Sequence, residues 1–202
     1  MTTPDLTFVL GGARSGKSRF AEGLAENFAG GAAHSDVPRA VRLAVRPVTY
    51  IATARPADDA EFAARIAHHR ARRPAHWGLV EADVDLAQAI AAADDGRTCI
   101  LVDCLTLWLV NLIAPVDGES AANAPHDLAA HVDALEAALA RARGPIIVVS
   151  NEIGMGVVPL GAMTRRYVDE LGRLNQRVAA LARDVTLMVA GLPVAVKRGA
   201  AR

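Results

Sequence analysis

The feature that most constrains the fold of this chain is the segment Gly11–Ser18, GGARSGKS, which fits the pattern GxxxxGKS. It follows the short apolar run Leu6–Leu10 and begins a helical pattern. Glycines at this spacing let the backbone approach a polyphosphate closely, so that successive N–H groups point at its oxygens. The helix that follows adds its positive N-terminal end. We therefore interpret the segment as a phosphate-binding loop, or P-loop.

Two residues at the end of this loop carry the predicted chemistry. Lys17 is placed to offset the charge of a nucleoside triphosphate. Ser18, on the first helical turn, is placed to offer its hydroxyl to the Mg²⁺ that accompanies the nucleotide. The alternative is a glycine turn between a strand and a helix, with a surface lysine. That alternative leaves three glycines, Lys17 and Ser18 unexplained together.

Length and charge narrow the class of protein. The 202 residues fit a single α/β domain, 1–202, with enough chain to bury a core. Basic and acidic side chains balance at 22 each, so the formal net charge is zero. Nothing in this balance indicates nucleic acid or an anionic membrane as a partner.

The cysteines and the apolar stretches predict a cytoplasmic protein. Cys99 and Cys104 lack a CxxC spacing or a second pair, which is typical of reduced thiols in or near a core. The first residues contain no basic segment followed by an apolar one, so we expect no export signal. The most apolar stretch, 99–113, is interrupted by Asp103 and Asn111, so we expect no membrane span.

Strand and helix patterns alternate along the chain, which predicts an α/β fold with a mostly parallel sheet and helices on both faces. Strands are expected at 6–10, 48–52, 77–81, 98–103, 145–150 and 185–190, with an edge strand at 194–197. Helices are expected after the P-loop as far as Phe28 and at 58–72, 85–93, 105–113, 126–143 and 165–183. Segments 30–47 and 115–125 are predicted to be a surface insertion and a loop.

Several strand ends are predicted to meet at the edge of the sheet where ligands bind in open α/β folds. Thr53 and Ala54 follow the second strand, and the loop 151–156 follows another buried strand. Asp103 ends the clearest buried strand, so we predict that it reaches Mg²⁺ together with Ser18. The alternative role for Asp103 is to cap the helix that begins near Leu105.

The segment 65–81 is rich in basic and aromatic side chains and includes His68, His69 and His76. Without further information it reads as a solvated basic helix and loop. No cysteine or acidic residue stands at a spacing that would complete a zinc site with these histidines. Helical spacing places His69 on the face of Phe62 and Ile66, whereas His68 lies on a neighbouring basic face.

The chain resembles a known family. The matching segments are GGARSGKS at 11–18, YIAT at 50–53, Arg65 and Ile66 with His68 and His69, Arg73 and Pro74 with Trp77, NEIGMGVVP at 151–159, and GRLNQ at 172–176. Together they are similar to the bifunctional adenosylcobinamide kinase/adenosylcobinamide-phosphate guanylyltransferases of cobalamin biosynthesis. The similarity covers nearly the whole chain.

The resemblance implies two reactions on a RecA-like P-loop fold assembled as a homotrimer. The first is phosphorylation of adenosylcobinamide by ATP or GTP. The second is transfer of GMP from GTP to adenosylcobinamide phosphate through a guanylylated histidine, which by motif position is His68. The resemblance also implies that the following residues contact the nucleotide: Gly11, Gly12, Ala13, Arg14, Ser15, Gly16, Lys17, Ser18, Ala52, Thr53, Ala54, His69, Arg70, Ala71, Arg72, Glu81 and Asp103.

The residue types suit this chemistry. A neutral imidazole is a competent nucleophile near pH 7, because its ordinary pKa is about 6.5. Lys17 and Mg²⁺ would stabilise the departing pyrophosphate, and Arg65 and Arg72 would hold phosphate oxygens. Two other interpretations remain open at this point: a P-loop small-molecule kinase without guanylyl transfer, and a RecA-like ATPase or switch acting on a protein or DNA partner. The balanced charge argues against the second.

Overall fold

The computed structural model describes residues 4–30, 46–55, 64, 67, 70–113 and 127–199. In chain order its elements are β1 (Leu6–Gly11), α1 (Lys17–Phe28), β2 (Val48–Ala52), β3 (Gly78–Glu81), α2 (Leu86–Ala93), β4 (Cys99–Asp103), α3 (Leu105–Ile113), α4 (Leu128–Arg141), β5 (Ile146–Asn151), α5 (Ala162–Leu181), β6 (Asp184–Val189) and β7 (Leu192–Lys197). Residues 64, 67 and 70–72 are also helical, as predicted for 58–72.

The strands form one sheet in the order β3-β2-β4-β5-β1-β6-β7. Every neighbouring pair is parallel except β6 and β7, which pair antiparallel. The predicted mostly parallel sheet is therefore confirmed. Register brings the strand ends together, since Ala52 lies opposite both Glu81 and Asp103, and Gly11 lies opposite Asn151.

The sheet is buried on both faces, which explains the continuous apolar runs of its central strands. On one face, Phe8, Ile51 and Val148 pack with Trp108 and Leu105 of α3 in a large core cluster. On the other face lies a smaller cluster in which Ala21 and Ala25 of α1 pack with Tyr50, Trp77, Leu101 and Val149. The predicted placement of helices on both faces is thus confirmed.

Element boundaries agree with the predictions to within three residues, and two of the differences have clear local reasons. Helix α4 begins at Leu128 because the Asp127 carboxylate accepts a hydrogen bond from the Ala130 N–H at 3.1 Å and caps it. Strand β7 begins at Leu192 because Ala190 and Gly191, with φ of 52° and 82°, form the two-residue turn that joins it to β6. Positive φ at both positions is typical of a tight antiparallel hairpin.

Some predicted features fall outside the described residues. These are the loop 115–125, nearly all of the insertion 30–47, and the part of the predicted helix 58–72 that carries Phe62, Arg65, Ile66, His68 and His69. Within the described ranges, no helix is both long and apolar enough to cross a membrane.

Candidate active site

The P-loop connects β1 to α1 through a backbone that only certain residues can adopt. Arg14 and Gly16 take positive φ of 56° and 91°, and α1 begins directly afterwards at Lys17. The Lys17 ammonium donates a hydrogen bond to the Gly12 carbonyl at 3.0 Å, and Lys17 is only 9% exposed. The loop therefore folds around its own lysine, which holds the positive charge at the centre of the loop.

Close packing explains the glycine at the end of β1. A Cβ on Gly11 would lie 2.4 Å from the Ser15 hydroxyl and 2.9 Å from the Met188 carbonyl. The hairpin turn between β6 and β7 packs against the same loop, because the Gly191 N–H donates to the Ser15 carbonyl at 3.0 Å. Sequence reasoning missed this support from the hairpin, since Gly191 is far from the P-loop in the chain.

Asp103 lies at the carboxyl end of β4 and has a defined partner. The Tyr50 hydroxyl, on the neighbouring strand β2, donates a hydrogen bond to Asp103 Oδ2 at 2.9 Å. Burial, together with the negative charge of Asp103, raises the pKa of Tyr50 far above its ordinary value, so the phenol remains a neutral donor. Sequence reasoning missed this contact, because the pairing of β2 with β4 is seen only in the structure.

Thr53 joins the ends of β2 and β4. Its hydroxyl donates to the Cys104 carbonyl at 2.7 Å and accepts from the Cys104 N–H at 2.9 Å. The Asn111 side chain donates to the Thr53 carbonyl at 2.8 Å and to the Asp83 carbonyl at 3.0 Å. Thr53 itself is buried, while Ala52 and Ala54 on either side of it are partly exposed. The structure therefore commits the Thr53 hydroxyl to the protein.

The residues from 70 to 77 fasten the end of the predicted histidine helix to the sheet and to α1. Arg70 donates to Glu81 at 2.8 Å, and Arg72 donates twice to Glu22 on α1 at 2.7 and 2.8 Å. Ala71 between them is exposed. Three predicted nucleotide contacts, Arg70, Arg72 and Glu81, are thus ion-paired, and sequence reasoning did not anticipate Glu22.

The loop after β5 reaches the same edge, as predicted. The Glu152 N–H donates to the Gly11 carbonyl at 3.1 Å, so the loop starts beside the P-loop. The Asn151 N–H donates to the Thr106 hydroxyl at 2.8 Å, and the Asn175 amide donates to the Asn151 carbonyl at 3.0 Å. Further along, Met155 is exposed. The start of the loop is therefore anchored to the sheet and to two helices.

Burial controls the chemistry of the two cysteines. Both are free and buried. Burial raises the pKa of Cys99 to about 12, and burial together with the charge of Asp103 raises the pKa of Cys104 to about 11, against an opposing effect of Lys17. Both thiols stay protonated at neutral pH, so neither is an activated nucleophile.

The donor set at this edge suits a hard cation. Ser18 and Asp103 offer a hydroxyl and a carboxylate, the oxygen ligands that Mg²⁺ prefers. In the part of the chain that the structure describes, no group of three or more His, Cys, Asp or Glu side chains gathers to hold a metal ion by itself. The residues present therefore fit an ion that brings other ligands with it, as Mg²⁺ does with a triphosphate.

The mostly parallel sheet, the P-loop with its buried lysine after β1, and the acidic residue at the end of β4, one strand further along the sheet than β5, define a P-loop nucleotide-binding protein. The family model described as cobinamide kinase / cobinamide phosphate guanyltransferase matches residues 7–196, and the chain belongs to this family. The resemblance stated from the motifs is confirmed.

The names of three curated relatives are consistent with this family assignment. Over 189 residues the chain is 48% identical to the bifunctional adenosylcobalamin biosynthesis protein CobP of Pseudomonas aeruginosa, a match that covers 94% of this chain and 95% of the relative. It is 39% identical over 201 residues to the bifunctional adenosylcobalamin biosynthesis protein CobU of Salmonella typhimurium, covering 95% of this chain and 99% of the relative. The protein of the same name from Escherichia coli is 36% identical over 198 residues, with the same coverage.

Proposed function

We propose that this chain phosphorylates adenosylcobinamide with ATP or GTP and then transfers GMP from GTP to adenosylcobinamide phosphate, giving adenosylcobinamide-GDP and pyrophosphate. The observation that carries the proposal is a complete P-loop, with Lys17 hydrogen-bonded inside it, in a chain matched by the family model from residue 7 to residue 196. Both reactions need a triphosphate held in one orientation, and this loop is built to hold one.

The P-loop residues Gly11, Gly12, Ala13, Arg14, Ser15, Gly16, Lys17 and Ser18 hold the phosphates. The Ser15 hydroxyl is buried and has no hydrogen-bond partner among the described residues, so a phosphate oxygen would satisfy it. Lys17 offsets the negative charge that develops on the leaving group. Ser18 and Asp103 would hold Mg²⁺, which when bound supplies further neutralisation of the phosphate charge.

His68 is the proposed nucleophile of the second reaction. Its neutral imidazole nitrogen attacks the α-phosphorus of GTP, and the P–N bond forms as the bond to the bridging oxygen breaks and pyrophosphate leaves with that electron pair. A phosphate oxygen of adenosylcobinamide phosphate then attacks the same phosphorus. The P–N bond breaks, and the imidazole regains its electron pair. Family membership and motif position support this assignment.

The other proposed nucleotide contacts are Ala52, Thr53, Ala54, His69, Arg70, Ala71, Arg72, Glu81 and Asp103. Arg70 and Glu81 are ion-paired but well exposed, so both retain access to a ligand. Thr53 contributes indirectly, because its hydroxyl holds Cys104 next to Asp103. Arg72 also contributes indirectly, through its ion pair with Glu22 on the helix that follows the P-loop.

Three further assignments belong to this proposal. We expect residues 1–202 to act as one domain, since the described strands form a single sheet. We expect a homotrimer in the cytoplasm. Self-association is supported by the outer strand β7, where Leu192, Val194 and Val196 are exposed apolar side chains on an edge that no other described strand covers.

Product analysis with histidine variants tests the proposed function. The protein is incubated with adenosylcobinamide, GTP and Mg²⁺, and the corrinoid products are separated by chromatography and mass. We expect the wild type to form the phosphate and then the GDP derivative, His68→Ala to stop at the phosphate, and the matched control His69→Ala to form both more weakly. A wild type that stops at the phosphate would instead indicate a kinase without guanylyl transfer.

A further inference from the structure

The Tyr50 hydroxyl donates a hydrogen bond to the Asp103 carboxylate, and the Tyr50 side chain is almost completely buried, at 4% exposure. Burying a hydroxyl costs free energy unless the group is hydrogen-bonded. A phenylalanine would fill nearly the same space without that cost. The hydroxyl is therefore best explained by its contact at 2.9 Å with Asp103 Oδ2.

The ring of Tyr50 has a second contact on the side of the histidine segment. The Arg73 guanidinium lies 4.3 Å from the ring centroid, in a cation–π geometry. Arg73 directly follows the helical residues 70–72, and Arg72 is paired with Glu22 of the P-loop helix. One buried side chain thus touches both the acidic residue of the site and the end of the segment that carries His68.

We propose that Tyr50 is a positioning residue of the transfer site, whose hydroxyl fixes the orientation of the Asp103 carboxylate while its ring holds Arg73 beside it. This inference rests on the proposed role of Asp103. A hydrogen bond to one oxygen of a carboxylate restricts the direction in which its other oxygen points. Such outer-shell partners typically change metal affinity by about 10- to 100-fold when they are removed.

Tyr50→Phe removes the hydroxyl and keeps the ring. We expect the Mg²⁺ concentration for half-maximal binding of a non-hydrolysable GTP analogue to rise about tenfold, with near-normal binding and adduct formation at saturating Mg²⁺. The matched control is Tyr167→Phe, since Tyr167 is the other tyrosine of the chain and its hydroxyl donates to the Thr106 carbonyl at 3.1 Å. We expect this control to leave the Mg²⁺ dependence unchanged.

A double-mutant cycle separates positioning from general destabilisation. Asp103→Asn alone should raise the Mg²⁺ requirement, and adding Tyr50→Phe to it should raise the requirement no further, because the hydroxyl acts only through that carboxylate. A Tyr50→Phe titration that matches Tyr167→Phe overturns the inference. So does an effect that adds fully to that of Asp103→Asn.

A spectroscopic measurement tests the positioning role of Tyr50 even if Tyr50→Phe fails to fold. In Tyr167→Phe protein labelled with ¹³C at the tyrosine ring, Tyr50 gives the single tyrosine resonance. We expect this resonance to shift when Mg²⁺ and the GTP analogue are added, and to differ in the Asp103→Asn background. A resonance unaffected by either change overturns the inference.

The two proposals fail in different ways. If Asp103→Asn leaves the Mg²⁺ dependence unchanged and the wild type binds no GTP analogue, the proposed function fails, and this inference fails with it. If Asp103→Asn shifts the dependence and Tyr50→Phe does not, the proposed function stands and only the positioning role of Tyr50 is wrong.

Discussion

Arg72 donates two hydrogen bonds to the carboxylate of Glu22, at 2.7 and 2.8 Å. Glu22 lies on α1, just beyond the P-loop, and its side chain is only 12% exposed. Arg72 lies at the end of the helical residues 70–72. Both bonds come from the same guanidinium nitrogen, Nη2, and charge-assisted hydrogen bonds of this kind are stronger than neutral ones. This pair therefore ties the segment that carries His68 to the helix that carries the phosphate-binding loop.

Glu22→Gln is expected to slow formation of the GMP adduct by about tenfold and to change phosphorylation of adenosylcobinamide much less. The reason is that only adduct formation requires the histidine segment to be aligned with the P-loop. Single-turnover rates with GTP measure the effect. Glu170→Gln, which breaks the exposed pair of Glu170 with Arg173, is the matched control and should behave as wild type. Equal losses in both reactions would contradict this role.

Lys17→Ala is expected to slow both reactions by about 10²- to 10³-fold, because removing a group that stabilises the developing charge typically costs about 3–4 kcal/mol of transition-state stabilisation. Lys197, the other lysine of the chain, provides the control. Its ammonium donates to the Ala179 and Ala180 carbonyls near the end of α5, so Lys197→Ala should lower stability and leave both activities in place. Wild-type turnover in Lys17→Ala would exclude the P-loop assignment.

Gly11→Ala is expected to lower the free energy of unfolding by about 1–3 kcal/mol, because the new Cβ would collide with the Ser15 hydroxyl and the Met188 carbonyl. Gly23→Ala on α1 should raise it by about 0.5–1 kcal/mol, since nothing lies within 4 Å of a Cβ there and alanine favours the helix. Urea denaturation of both variants measures these changes. Equal stability of the two variants would show that the packing around Gly11 is relaxed.

The cysteines predict a pH dependence. Folding raises the pKa of Cys104 to about 11 and that of Cys99 to about 12, against about 8.5 for a free thiol. Their contribution to stability is therefore complete below about pH 8.5 and is lost as the pH rises toward 11–12. The urea concentration at the midpoint of unfolding should decrease when the pH is raised from 8 to 10. The decrease should be smaller in Cys99→Ala than in the wild type. Rapid alkylation of the native thiols at pH 8 would contradict the burial of both side chains.

Local patterns were enough to predict most of the fold. The buried runs that became β1, β2, β4 and β5 were predicted within one residue, because strands covered on both faces must be apolar throughout. The P-loop could be predicted because its glycines and its lysine lie within one short segment. Asp103 was readable because it ends a buried strand.

The contacts that complete the site were not readable, because they join distant parts of the chain. Glu22 and Arg72 are 50 residues apart, and Tyr50 and Asp103 are 53 apart. Neither pair stands out by composition or spacing. The sequence predicted Arg72 as a phosphate contact because it lies on or near the helix face of His68. Only the arrangement of the elements reveals the carboxylate that holds it.

Mapping the covalent adduct tests whether His68 carries GMP between GTP and the corrinoid phosphate. The protein is incubated with GTP and Mg²⁺, the intact mass is measured before and after mild acid, and the modified peptide is sequenced by mass spectrometry. We expect one acid-labile GMP, as is typical of a P–N bond, on His68. A GMP on His69, His76 or any other residue, or an intact mass that never changes, would contradict it.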